Sequence, residues 1–326
     1  MPTHQYWIEK NRTVKILNTN QKFFSKMGFN YLIYAICTIV FPLIIFNIIG
    51  NNSEIVGNIN FSLIISAICN YILPFPILLF LMKKLEHEKL EKDSLNITTF
   101  LLYFCISFTL MIIGNMIGLA VTALIGTAIQ SDIANPIQNL INSSDIMLNL
   151  IIISIIGPIF EELIFRKLLV DRTIKYGAKI SIILSATLFG LMHGNLNQFF
   201  YAFLLGGFFA YVYMKTGKII YPILLHISLN LMGSVLSLFV IESADALTQG
   251  AYTSFDIGFI LIYVLILILV MIFGLYGLTQ YKKAKLTKIK TKIELTNPIR
   301  TAFINYGMAC YIGFTILLII YSTFIL

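Results

Sequence analysis

The sequence predicts an all-α fold, a polytopic transmembrane helical bundle of about nine spans, eight plus a C-terminal one. Three observations predict it. Of 326 residues, 58% are hydrophobic and only 12% are charged, against roughly 25% charged in an ordinary soluble domain. The mean hydropathy is +0.87. The Lys and Arg residues are confined to alternate gaps between long apolar stretches. A chain so poor in charge cannot coat a globular surface. That excludes a soluble enzyme, a disordered protein and a nucleic-acid-binding domain, so no nucleic-acid partner is expected. The partners expected are the lipid bilayer and a peptide or membrane protein. Nothing in the sequence reports an oligomeric state.

A helix crosses the hydrocarbon with roughly 20 apolar residues. The stretches 30–49, 61–82, 99–125, 146–170, 178–195, 197–214, 219–241, 254–280 and 303–326 qualify. The gaps between them sort the charge. Lys10, Arg12, Lys15, Lys22 and Lys26 precede the first span, and Lys83, Lys84, Lys89 and Lys92 follow the second. Arg166, Lys167, Arg172, Lys175 and Lys179 close the fourth, Lys215 and Lys218 follow the sixth, and Lys282, Lys283, Lys285, Lys288, Lys290, Lys292 and Arg300 follow the eighth. These are all 23 basic residues, while the alternate gaps carry Glu54, Asp132, Asp145, Glu242, Asp245 and Asp256. By the positive-inside rule the N-terminus is cytoplasmic and, with nine spans, the C-terminus faces out. The formal charge of +8 is therefore a topology signal.

The first apolar run follows a long basic tail and lacks a small-residue cleavage pattern, so it reads as a span and not as a signal peptide. The tail places Trp7, Ile8, Val14, Leu17, Phe23 and Phe24 among its cations, a pattern that suits either a membrane-surface helix or a solvated tail. Cys37, Cys69, Cys105 and Cys310 are scattered through the spans and read as small hydrophobes without metal or disulfide spacing. The chain is rich in Ile and Asn and has a single Trp, a composition that fits an AT-rich genome and a bacterial plasma membrane.

Most ionisable residues lie in loops. The exceptions cluster between 161 and 230: Glu161, Glu162 and Arg166 in span four, His193 closing span five, and His226 with Asn230 in span seven. Groups of this kind inside a membrane cost a few kcal/mol each on insertion scales and normally face a bundle interior or a wet cavity. A structural polar clasp between helices does not need two carboxylates, two imidazoles and an amide.

Helix phase separates their roles. Glu162 and Arg166 are i and i+4 with the acid first, the favourable order for an ion pair. Glu161 is rotated about 100° away, lacks a local partner and is free to act as a base. His226 and Asn230 share a face, from which both can donate hydrogen bonds to a developing oxyanion. His193 has no local partner, and its natural one is a carboxylate from another helix. Measured from the basic gaps, Glu161 and Asn230 lie roughly 16 Å along their helices, His226 roughly 10 Å and His193 roughly 22 Å. The four groups can meet in one buried layer. Pro158 and Pro222 can kink their helices beside it. The pairs Gly190 with Gly194 and Gly114 with Gly118 read as close helix packing. Asn195, Asn197 and Gln198 fall in the short outer turn, where solvation accounts for them.

The ordered set Glu161-Glu162-x-x-x-Arg166, Phe189-x-x-x-His193 and His226-x-x-x-Asn230 resembles the CPBP family. This family comprises CAAX-type intramembrane endopeptidases and the bacteriocin-processing or bacteriocin-immunity proteins, also called Abi. The resemblance covers roughly 146–235, outside the first three spans and the last two. It implies a glutamate-dependent intramembrane peptidase in which Glu161 is the general base and His193 helps to position and activate the water. It implies His226 and Asn230 as the oxyanion hole, with Glu162, Arg166 and Phe189 supporting. All motif positions are filled. Eight spans are typical of the characterised relatives, so residues 303–326 stand apart from the implied core.

The chain then divides into a basic, amphipathic cytoplasmic tail (1–29), spans one to three (30–145), a catalytic core of spans four to seven (146–241) and a C-terminal part (242–326) with a basic cytoplasmic loop at 281–302. The chemistry needs no cofactor. A zinc-dependent version would take Glu161, His193 and His226 as ligands, although no His-Glu-x-x-His motif is present. Other readings of the cluster are a non-proteolytic membrane partner, in bacteriocin immunity or sensor modulation, and a proton-coupled transporter.

Overall fold

The computed structural model describes residues 4–49, 57–131, 133, 136–281 and 291–324. The described residues form helices joined by turns and irregular loops, with no strand among them. Helices α1 (His4–Ile49), α2 (Ile59–Met82), α3 (Ile97–Ile129), the short α4 (Pro136–Ser143) and α5 (Ile146–Tyr176) are followed by α6 (Ala178–Met192) and α7 (Leu196–Thr216). Helices α8 (Ile220–Thr248), α9 (Ser254–Tyr281), the short α10 (Pro298–Phe303) and α11 (Tyr306–Phe324) complete the order.

Local sequence starts and stops these helices. Asn58, Asn96, Asp145 and Asn195 each accept hydrogen bonds from backbone N–H groups of the first turn that follows, satisfying donors that have no intrahelical partner. Gly217 ends α7 at φ +59°, a left-handed position that suits glycine.

Among the described residues, eight helices are long and apolar enough to cross a membrane. They correspond to all the expected spans but the fifth. That one is α6, only 15 residues long. The first span also departs from expectation. Helix α1 runs unbroken from His4, so the boundary drawn at residue 29 falls inside it, and Phe24 and Met27 are fully buried. The side chains of residues 4–18, including Trp7, Ile8, Val14 and Leu17 of the amphipathic pattern, lie outside the described residues, as do Glu54, Asp132 and the loop lysines 282–290.

The basic gaps meet at one end of the bundle. Glu88 N–H donates to the Asp171 carbonyl (2.7 Å), Asp93 N–H to that of Thr216 (2.7 Å) and Lys292 N–H to that of Lys175 (2.9 Å). Ion pairs Lys175–Glu86 (3.0 Å) and Lys292–Glu88 (2.6 Å) tie the same layer.

Small residues let the central helices touch. A Cβ on Gly206 of α7 would lie 3.0 Å from Ala186 Cα of α6, and one on Gly118 of α3 would lie 2.8 Å from the Asn197 carbonyl of α7. Gly114 faces the Tyr201 backbone still more closely. On the other side α1 and α11 cross at Gly28 and Gly307, where Gly307 N–H donates to Ser25 Oγ (3.0 Å).

The short α6 has a consequence for depth. From the basic end it rises only about 22 Å, so the turn joining it to α7 stops halfway up its neighbours. Helix α5 continues roughly 22 Å beyond Glu161, α8 roughly 27 Å beyond Asn230 and α3 roughly 16 Å beyond Gly118. Asn195 and Asn197, expected to be solvated, are therefore buried within the bundle.

Candidate active site

Glu161 and Glu162 lie at the end of a regular α-helical stretch of α5, Gly157–Glu162. Wider π-helical turns precede and follow it, at Asn149–Ile156 and Leu163–Leu168, and such turns are frequent at functional sites. Pro158 opens the α-helical stretch. Pro222 falls in the first turn of α8, where its missing N–H leaves no bond unmade and no kink is needed.

Behind the layer, Glu162 and Arg166 are both completely buried, with Arg166 Nε 3.1 Å from Glu162 Oε2. The contact is an ion pair and not an aligned hydrogen bond. None of the three guanidinium nitrogens, nor that carboxylate oxygen, has a hydrogen-bond partner among the described residues. The guanidinium lies over the Phe189 ring at 4.2 Å and the Phe209 ring at 5.3 Å. These cation–π contacts replace water on its faces. The second Glu162 oxygen, Oε1, meets His226 Nδ1 at 2.9 Å.

In front, His226 Nε2 is 3.7 Å from Glu161 Oε2, longer than a direct hydrogen bond. The other Glu161 oxygen accepts from the Tyr71 hydroxyl of α2 at 2.7 Å. Glu161 keeps 20% of its side chain exposed while Glu162 keeps none, so the two neighbours divide into an outward and an inward carboxylate. His193 caps α6 and its Nδ1 is 2.8 Å from the Phe189 carbonyl. The Phe189 ring sits edge-on to both imidazoles, 4.9 Å from His193 and 5.8 Å from His226. Asn230 shares the His226 face, and its amide donates to the Ile153 carbonyl at 2.9 Å, within the π-helical stretch of α5. Among the described residues, no three His, Cys, Asp or Glu side chains are grouped as a metal site.

The structure thus gathers Glu161, Glu162, Arg166, Phe189, His193 and His226 around one layer, with Asn230 one helical turn beyond His226 and tied to the Ile153 carbonyl. Three contacts had no sequence signal, that of Asn230 with the Ile153 carbonyl among them. The Glu162–His226 pair depends on how α8 is rotated against α5. Tyr71 is one aromatic in a long apolar run. Its helix carries a hint only in Pro74, which marks an irregular turn.

Residues 143–232 match the family described as type II CAAX prenyl endopeptidase Rce1-like. Over that stretch the chain is similar to the CPBP family. A relative named "Putative membrane peptidase YdiL", from Bacillus subtilis (strain 168), is 27% identical over 162 residues, which are 47% of this chain and 64% of the relative. The match thus spans under two thirds of that relative's length. No solved structure matches the chain. The matched stretch contains every motif residue described above, and the chain as a whole is an integral membrane protein by its apolar helices. Tyr71 and helices α1, α2 and α11 lie outside the matched residues.

Proposed function

We propose that this protein is an intramembrane endopeptidase that hydrolyses peptide bonds with water activated by Glu161. The observation that carries the reading is the split pair of carboxylates. Glu162 is buried and committed to Arg166 and His226, while Glu161 is partly exposed and faces His226 across 3.7 Å. A gap of that length suits a bridging water.

Glu161 takes the proton of that water as the hydroxide attacks the peptide carbonyl, with His193 holding the water in line, and then passes the proton to the leaving amine. The oxyanion is met by His226 Nε2–H and by the second N–H of Asn230, since an amide has two donors and Ile153 takes one. Glu162 accepts from His226 Nδ1 and fixes the ring. When both ring nitrogens carry protons, Nε2 donates to the oxyanion. The substrate is a peptide or membrane-protein segment that reaches this layer. Processing of CAAX-type or other hydrophobic peptides is the role we assign, in a bacterial plasma membrane with the basic loops on the cytoplasmic side.

The test compares peptides from membranes carrying the wild-type protein with those from membranes carrying Glu161→Gln at equal abundance. Loss of a general base predicts a fall in cleavage of about 10²-fold or more, with uncleaved peptides accumulating. The same loss is expected for His193→Ala. Activity of the purified protein is expected to survive exhaustive chelation, and a strict requirement for added zinc would move Glu161, His193 and His226 to the role of ligands. An unchanged peptide pool would sink the peptidase reading in favour of a binding partner.

A further inference from the structure

We propose that Tyr71 is a positioning residue for Glu161, supplied by a helix outside the family segment. The proposal rests on the reading of Glu161 as the base. Its hydroxyl donates to Glu161 Oε1 at 2.7 Å. That bond leaves Oε2 as the oxygen that faces His226.

The surroundings are built to deliver this hydroxyl. The Tyr71 ring stacks on Phe160, the residue before Glu161, with centroids 5.6 Å apart and planes at 21°, and Phe75 closes the other side of Phe160 edge-on at 5.2 Å. Gly157 gives the hydroxyl its room, because a Cβ there would stand 3.1 Å from the Tyr71 oxygen. The turn that carries Tyr71 is irregular. Residues Ile68–Ile72 are π-helical and lead into Pro74. Proline has no N–H to offer the carbonyl four residues earlier, which is that of Asn70. The Tyr34 hydroxyl of α1 donates to this carbonyl at 2.6 Å. A break in α2 that would expose an unmet acceptor is pinned from α1, and the pinned turn presents Tyr71 to α5.

A glutamate on a helix has several staggered rotamers. A base must have its reactive oxygen within hydrogen-bond reach of the proton that it removes. Tyr71 selects the rotamer before substrate arrives, so its loss acts on turnover and leaves substrate binding alone.

The probe is a quenched-fluorescent copy of a peptide that accumulates in Glu161→Gln membranes, assayed with the full chain in proteoliposomes. Tyr71→Phe removes one oxygen and keeps the stacked ring. We expect kcat to fall roughly 10- to 100-fold, as misplacement of a reacting group does, with KM within about twofold of wild type and thermal unfolding in detergent unchanged. Gly157→Ala, which crowds the same hydroxyl, and Tyr34→Phe, which unpins the turn, are expected to lower kcat in the same way to a smaller degree. They keep the proposal testable if Tyr71→Phe fails to fold. Wild-type kcat in folded Tyr71→Phe, or a rise in KM at unchanged kcat, would overturn the role of Tyr71 while leaving Glu161 as the base. Full activity of Glu161→Gln would instead overturn the reading on which it rests.

Discussion

Arg166 is a buried cation whose counter-charge is shared. Its guanidinium is wholly enclosed between Phe189 and Phe209 and pairs with a carboxylate that also holds His226. Removing one partner of a buried pair leaves the other charge uncompensated, at about 3–5 kcal/mol. Arg166→Met should therefore lower the thermal unfolding temperature in detergent sharply, and the double variant Glu162→Gln/Arg166→Met should recover most of the loss. A double variant no more stable than Arg166→Met would show that the stacked guanidinium, and not the charge balance, holds the helix. Arg166→Lys should not substitute, because an ammonium cannot present a planar face to Phe189. At this scale the sequence was legible where partners are local. Four-residue spacing predicts the Glu162–Arg166 pair on one helix. It is silent on His226 Nδ1, Tyr71 and the Ile153 carbonyl, because each of these contacts joins two helices whose relative rotation no local pattern encodes.

The hairpin of α6 and α7 depends on absent side chains. A Cβ on Gly206 would stand 3.0 Å from Ala186 Cα, so the neighbouring helix would have to give way, whereas a Cβ on Gly207 would make ordinary contacts of 3.5 Å with Ile182. Gly206→Leu is expected to destabilise the protein and displace His193 from the layer, with activity lost, while Gly207→Ala should be tolerated. Equal effects at the two positions, measured by unfolding temperature and turnover, would count against close packing as the reason. Hydropathy and the basic gaps were enough to locate the long helices. They did not show that α6 stops halfway, because a short apolar helix that ends inside a bundle has the same composition as one that ends at its surface. The polar tip was misjudged for the same reason. Asn195 caps α7 and its amide donates to the His193 carbonyl (2.9 Å) and to Gln198 Oε1 (2.6 Å), so its polarity is met inside the bundle and not by solvent. At the N-terminus, helix α1 begins well before its apolar run.

Across the whole molecule, the described parts of the loops between the long helices are tied together at one end, and the proposed orientation turns that end to the cytoplasm. It can be read directly in cells. The described cysteines are free, so a cysteine-free background followed by Tyr252→Cys or Lys84→Cys gives single exposed reporters at opposite ends. A membrane-impermeant maleimide should label Tyr252→Cys in intact cells and Lys84→Cys only after permeabilisation. The reverse pattern would invert the topology.

Helices without motif residues support those that carry them. The Tyr31 hydroxyl of α1 donates to the Ile164 carbonyl of α5 (2.7 Å), the Tyr311 hydroxyl of α11 to the Leu188 carbonyl of α6 (2.9 Å), and Ser322 of α11 to the Gly194 carbonyl (2.9 Å). The first two rings meet edge-on, with centroids 6.2 Å apart, and brace the helices under Glu161 and His193 from one shared flank, and the third holds the hairpin tip itself. The motif-bearing stretch is thus not a portable cassette. Grafted into a foreign bundle it would carry its acids and imidazoles but leave behind the hydroxyls that hold their backbones in register.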